Sequence, residues 1–292
     1  MELTQSLKNL LIPLYLLFPQ KTKKRIKHIY YDRFVYPLYK LKYIYSYGRQ
    51  DFFDHISIET TTHCNLRCPS CPNSKYERGL LKNKKLMSLD LFKKIINELA
   101  SINYSGDTYF HFFGEPLCDE RMPDLIAYAT KKLPKSMVGI NSNGFLMTPL
   151  LYKKLLNSGI KSILITEYGG IMPPEIKELL EYLKNHPEIE NKIKYRRLID
   201  SGLSNRGGEI DIKNPLDFSK PVCTYPQGEV NIDYSGNVVL CSNDYHSQVV
   251  FGNIKNKNLI DIWDSPYYKR LRKEIRRGVF RLPICKKCVG IE

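Results

Sequence analysis

The sequence has no apolar run long enough to cross a bilayer. The longest near its start, Leu10 to Phe18, is broken by Pro13 and falls far short of the roughly 20 residues that a spanning helix needs. Nothing reads as a secretory leader either, because the positive charges around that run mostly follow it. There is no internal repeat and no low-complexity tract, so a repeat array or a fibrous chain is not expected. Acidic residues are in short supply: 30 Asp and Glu face 45 Lys and Arg, a net charge of +15. Ten of those basic residues fall in residues 1–50 against Glu2 and Asp32, so this segment alone carries +8. Such an excess fits an anionic partner or simply a lysine-rich surface, since charge governs association rather than fold.

What is present is an ordinary globular composition, 42% hydrophobic and 26% charged over 292 residues, enough for one large domain or for one with an appendage. After residue 52, short apolar runs alternate with amphipathic ones. Strands are expected at 55–60, 108–113, 136–141, 161–166 and about 192–199, and helices at 88–100, about 123–132, 149–157 and 174–184. Strand, helix, strand, repeated, predicts parallel strands with right-handed crossovers. Sites in such folds collect at the carboxyl ends of the strands. Near residue 215 the rhythm changes. GEVNIDYSGNVVLC (228–241) reads as a hairpin turning at Ser235-Gly236, and one helix is expected over 258–278. The organisation is therefore a basic extension at 1–52, an α/β unit at 53–215 and a small module at 216–292 that does not continue the first sheet.

Cysteine is the informative residue. With no secretory signal, eight cysteines point to metal ligation rather than disulfides, and the expected compartment is the cytoplasm. Cys64, Cys68 and Cys71 follow the first strand as C-x3-C-x2-C. Three thiolates hold three irons of a cubane and leave the fourth open, whereas a structural zinc site would have to borrow a distant ligand. Cys223, Cys241, Cys285 and Cys288 lie in the second module. By spacing alone they suit a zinc ribbon and a fully ligated cluster equally well.

The C-x3-C-x2-C loop after the first strand of an α/β repeat resembles that of the radical S-adenosylmethionine (SAM) enzymes. Gly114-Glu115-Pro116 closes the second strand and Asn141-Ser142-Asn143-Gly144 the third, as in that superfamily. The sequence from GNVVLC through FGNI and DIW to CKKC looks like the C-terminal half of a SPASM domain in its shortened, twitch form. The resemblance implies a partial (β/α)6 barrel with a small twitch-type domain. It implies two [4Fe–4S] clusters, one on Cys64, Cys68 and Cys71 and one on Cys223, Cys241, Cys285 and Cys288. SAM would be the cosubstrate, held by Gly114, Glu115, Pro116, Asn141, Ser142 and Asn143. The pieces CPNS (71–74), HFFGEPL, SNRGG (204–208) and the 228–288 pattern are similar to radical SAM dehydrogenases of aminocyclitol biosynthesis. That likeness implies oxidation of an alcohol on a sugar- or cyclitol-like substrate, with Arg206 at the hydroxyl. An epimerase or a peptide-modifying enzyme with the same two clusters is the alternative.

Other residues carry two readings each. Glu167, at the end of the fourth strand beside Tyr168, is a candidate catalytic acid or base, or a structural carboxylate. His111 shares a strand face with Tyr109 and Phe113 and either faces a cavity or sits in the core. Cys118 is a buried hydrophobe or a hydrogen-atom donor. The expected partners are a small polyhydroxylated molecule and a flavodoxin- or ferredoxin-type reductant. Interleaved aromatic and basic residues in PYYKRLRKEIRRGVF suit a nucleic-acid binder, but GEP and SNRGG have no role in that reading and no specific nucleic acid is expected. Residues 1–50 read as a helical cap with a solvated basic face or as a peripheral anchor at the inner membrane face.

Overall fold

The computed structural model describes residues 26, 29–168, 170, 172–198, 204–211 and 223–291. The apolar run at 10–18 and the expected boundary at 215 lie outside them. Five strands alternate with four helices: β1 His55–Ile58, α2 Leu89–Ser101, β2 Asp107–Phe110, α3 Met122–Lys132, β3 Met137–Ser142, α4 Pro149–Asn157, β4 Ser162–Tyr168, α5 Pro174–Asn185 and β5 Ile193–Leu198. A preceding helix, α1 Tyr36–Tyr47, follows a wide π-turn, Tyr31–Val35. The helices start where the chain supplies caps. Ser88 Oγ accepts from the Leu91 N–H, and Thr148 accepts from the Leu151 N–H ahead of Pro149. On α2 the stripe Leu91, Phe92, Ile95, Ile96 and Leu99 is buried against the sheet.

The sheet has eight strands in the order β5-β4-β3-β2-β1-β6-β7-β8, with β6 Glu229–Ile232, β7 Asn237–Val239 and β8 Val250–Asn253. The first six are parallel, and β7 and β8 are antiparallel additions. This corrects the expectation of a separate second module. β6 pairs in parallel with β1, from His55↔Glu229 to Ile58↔Ile232, so the module completes the partial barrel at its free β1 edge. Val230 and Ile232 fall in line with Ile56 and Ile58, and all four are buried in one core.

A second correction concerns the helix expected over 258–278. It is two helices, α6 Leu259–Trp263 and α7 Pro266–Arg276. Pro266 cannot donate to the carbonyl four residues back and its ring would collide with it, so the chain breaks at Asp264-Ser265 and restarts. The final helix, α8 Pro283–Val289, carries the Cys-Lys-Lys-Cys pair and had no periodic signal of its own. Arg272 of α7 is buried flat between Trp263 and Tyr268, 3.6 and 4.4 Å from the ring centroids, and it pairs with Asp51 at 2.7 Å. With the Arg49–Asp264 pair, it fastens the segment ahead of β1 to this module.

Candidate active site

Parallel register gives the sheet two unlike faces, because side chains alternate along each strand and paired residues point the same way. Ile56, Ile58, Phe110, Val138, Ile140, Ile163 and Ile165 face the helices and are buried. The opposite face carries His55, Ser57, Tyr109, His111, Asn141, Thr166, Arg196 and Asn231. A polar inner face is what a site for a polar ligand needs. His111 Nδ1, Asn141 Oδ1 and Asn231 Oδ1 are buried with no hydrogen-bond partner in the chain, while the Asn231 amide nitrogen faces the Glu229 carboxylate. Asn141 Nδ2 lies 3.2 Å from His111 Nε2. With the amide donating there, the Nδ1–H and Asn141 Oδ1 remain as a free donor and a free acceptor. Burial, aided by the charges of His55, Arg206 and Arg196, drops the His111 ring to about 3, so it is neutral.

The cysteine loop leaves β1 through the buried Thr60, Thr61 and Thr62. The Cys64 N–H donates to Gly79 O at 3.1 Å and the Cys71 N–H to Cys68 O at 2.9 Å. Cys64, Cys68 and Cys71 are unbridged and part-buried. Burial pushes the Cys64 thiol up to about 12 and the Cys68 thiol up to about 11, so only a bound cation would hold them as thiolates. Glu59 at the end of β1 pairs with Arg78 at 2.6 Å, and Arg78 lies over the rings of Phe113 and Tyr245. The stretch after the cysteines is thereby locked to the second module.

Gly114 must be glycine, since a Cβ there would run into the Thr61 carbonyl. Glu115 holds the ends of β2 and β3 together. Its buried carboxylate accepts from Ser142 Oγ at 2.6 Å, the Asn143 N–H at 2.9 Å and the Leu117 N–H at 3.2 Å. Asn143 Nδ2 donates to Asn65 Oδ1 in the cysteine loop at 2.8 Å. Glu115, Ser142 and Asn143 thus position these loops, and Asn141 alone of its turn keeps a polar atom free. Cys118 lies beside the cysteine loop, its Sγ 3.9 Å from Asn65 Oδ1.

The other four cysteines lie within electrostatic reach of one another. Cys241 feels the charges of Cys223, Cys288 and Cys285, and Cys285 those of Cys223 and Cys288. Cys223, Cys241 and Cys285 pack around Leu240, Leu271, Ile275 and Ile284. Asn243 Nδ2 donates to Cys288 Sγ at 3.7 Å, and the Gly207 N–H donates to the same sulfur. N–H donors onto cysteine sulfur in an apolar pocket suit an iron–sulfur cluster, whose potential such bonds tune.

Arg206 stands between the two cysteine sets. Asn205 donates to Lys287 O at 2.9 Å, Ser204 Oγ to Asn243 Oδ1 at 3.0 Å, and a Cβ on Gly207 would lie 2.8 Å from Ile284. The backbone is thus pinned to α8, and Arg206 itself takes φ 50, a conformation that costs a non-glycine residue about 1 kcal/mol. The guanidinium projects the other way, within electrostatic reach of His111, Tyr168 and Cys68, and its Nε is buried without a partner.

Glu167 is a correction. It shares the helix-side face of β4 with Ile163 and Ile165, accepts from the Tyr195 hydroxyl and lies 3.5 Å from Arg197 Nε. Alternation turns Tyr168, not Glu167, toward the site. Arg196 and Asn231 were not picked out from the sequence. Arg196 is on the inner face of β5 with Thr166 Oγ1 at 3.2 Å as its contact.

A family model of the radical SAM superfamily matches residues 58–166, and a SPASM iron–sulfur cluster-binding domain matches residues 223–289. The chain is 28% identical over 240 residues to an S-adenosyl-L-methionine-dependent 2-deoxy-scyllo-inosamine dehydrogenase of Niallia circulans, covering 82% of this chain and 94% of that protein. It is 23% identical over 316 residues to a tungsten-containing aldehyde ferredoxin oxidoreductase cofactor-modifying protein of Pyrococcus furiosus, covering 80% and 86%. The fold matches the crystal structure of BtrN in complex with AdoMet and 2-DOIA at a TM-score of 0.69 and 27% identity, covering 81% of this chain and 92% of that one.

Two outcomes follow from this geometry. Anaerobically prepared protein is expected to hold about eight irons, and the Cys64→Ala/Cys68→Ala/Cys71→Ala variant about half; stoichiometric zinc without iron would contradict both cysteine assignments. Burial raises Glu115 to about 7 from its ordinary 4.5, against its three donors. The folded chain therefore holds that proton more tightly than the unfolded one. The stability this lends is complete below pH 4.5 and lost as pH rises to about 7. Urea midpoints of cofactor-free protein across that range are expected to fall less steeply in Glu115→Gln, and parallel profiles would show that Glu115 titrates normally.

Proposed function

The chain belongs to the radical SAM superfamily and carries a C-terminal SPASM domain, and we propose that it is a dehydrogenase that oxidises a carbinol of a sugar- or cyclitol-like molecule to a ketone. Cys64, Cys68 and Cys71 would hold the first [4Fe–4S] cluster and leave an iron open for SAM, and Cys223, Cys241, Cys285 and Cys288 would enclose the second. When bound, these groups supply the 5′-deoxyadenosyl radical that takes the carbinol hydrogen atom and the sink for the electron left behind. Gly114 and Pro116 shape the loop that Glu115 fastens to β3, and with Asn141, Ser142 and Asn143 they border the SAM position.

The observation that carries the substrate class is the set of buried, unpartnered polar atoms on the inner sheet face. A buried polar group left unpaired costs about 1–3 kcal/mol, and a polyhydroxylated ring offers each a hydroxyl. His111 Nδ1–H donates, and Asn141 Oδ1 and Asn231 Oδ1 accept. Arg206 then binds the reacting oxygen. A guanidinium is a donor rather than a base, and beside the oxygen it stabilises the negative charge left when the hydroxyl proton departs. Its clamped backbone ties that contact to the second cysteine set, where the electron must go. An epimerase would instead need a hydrogen donor at the substrate, and Cys118 is beside Cys64 and Asn65. A flavodoxin- or ferredoxin-type reductant and a peripheral membrane contact through residues 1–50 complete the reading.

The test separates the clusters. Cys285→Ala/Cys288→Ala, verified to retain only the first cluster, is expected to form 5′-deoxyadenosine from SAM but no ketone. Arg206→Ala is expected to lower the ketone rate about 10²–10³-fold, the scale of removing one charge-stabilising donor, and to slow SAM cleavage much less. Ketone formed at the normal rate without the second cluster would leave that cluster a structural staple only.

A further inference from the structure

We propose that the outer face of the 29–47 helical segment docks the protein on anionic lipid. The inference rests on the peripheral contact named above and identifies the surface and the lipid chemistry that make it. Tyr30, Phe34, Leu38, Leu41 and Tyr45 are 60%, 64%, 65%, 62% and 93% exposed, values that core-forming residue types seldom reach together. At 3.6 residues per turn, Leu38, Leu41 and Tyr45 fall within about 60° of one another on α1. Tyr30 and Phe34 stack at 5.7 Å and continue the stripe by two turns at spacings of four.

The stripe is held rigidly outward because the opposite face is bolted down. Tyr36 and Tyr43 are buried, and the Arg276 guanidinium lies 3.6 Å from the Tyr36 ring centroid. Asp32 pairs with Arg276 at 2.8 Å and Arg277 at 3.8 Å, and Lys42 with Asp54 at 2.5 Å. A loosely attached amphipathic helix would fold its apolar side inward; this one has a polar and aromatic anchor there instead.

Charge selects the occupant. Asp32 is the one acid of residues 29–47, and those pairs neutralise it. Lys40 lies over the Tyr36 ring and Lys42 is held by Asp54, but Arg33 is exposed on the segment itself, and α7, packed against it through Arg276, exposes Arg270 and Lys273. An apolar strip rich in tyrosine and bordered by cations suits the headgroup boundary. There aromatic rings sit half in water and lysines meet anionic headgroups. A second copy of this chain would bring the same cations into opposition.

The test is flotation of the full chain with vesicles of phosphatidylcholine alone and of phosphatidylcholine with phosphatidylglycerol. Binding is expected only with phosphatidylglycerol and is expected to weaken as salt rises, since exposed charges are screened over about 10 Å at 0.1 M. Phe34→Ser/Leu38→Ser/Leu41→Ser changes only exposed positions. It is expected to keep the iron content and melting temperature while binding at least about tenfold more weakly. Leu38→Trp is expected to shift its emission to shorter wavelength on those vesicles. Flotation that survives the triple substitution, or Trp emission that ignores bound vesicles, would keep the peripheral contact and overturn the stripe as its surface. A chain that does not float, or that dimerises through the stripe instead, would overturn both. None of these readouts involves SAM cleavage or ketone formation, so the dehydrogenase reading stands or falls separately.

Discussion

Parallel pairing is the constraint on which the rest of the molecule depends. It carries the direction of each side chain across the sheet, so one choice of register sorts every strand residue into core or site. The run HISIE already contains the choice, with Ile56 and Ile58 toward the helices and His55, Ser57 and Glu59 away from them. From there the same alternation brings His111, Asn141, Thr166, Arg196 and Asn231 to one surface although they come from five strands. A one-residue slip would bury those polar groups under the helices and open the isoleucines to the ligand.

The second dependence is the short segment 204–208, which belongs to neither cysteine set, is bonded to the second at Cys288 and brings the Arg206 charge within reach of Cys68 in the first. Gly207 and Gly208, at φ 71 and 94, let the backbone lie against α8. Arg206 accepts a left-handed conformation so that its side chain leaves in the opposite direction. Strained, well-held residues of this kind gather at sites where position matters more than stability. On the proposed reading, the hydroxyl contact and the electron's destination would thus be set by one piece of chain, coupling binding of the reacting oxygen to the second cluster without a moving part.

Much of this was legible in the chain. The cysteine spacings picked out both cysteine sets, and the alternation of five strands with four helices located the loop that carries the first. Glu167 shows a signal present but overlooked: Ile163 and Ile165 have its parity, which points it to the helices and leaves Tyr168 for the site. Other features had no local signal. That β6 lies beside β1 depends on pairing between strands more than 170 residues apart in sequence, and Asn231 gains its place only through that pairing. The break in the 258–278 helix was written in Pro266. The helical periodicity on either side outweighed it, although a proline inside an apolar stripe marks a restart rather than an interruption.

The central claim is that a carbinol hydrogen is taken and the electron is not returned. Its most direct measurement uses a cyclitol or sugar deuterated at the carbinol carbon, with the intact enzyme, SAM and reductant under anaerobic conditions. Mass spectrometry is predicted to find deuterium in 5′-deoxyadenosine in step with ketone formed. Unlabelled 5′-deoxyadenosine, or an alcohol with an inverted, protiated centre in place of ketone, would contradict it.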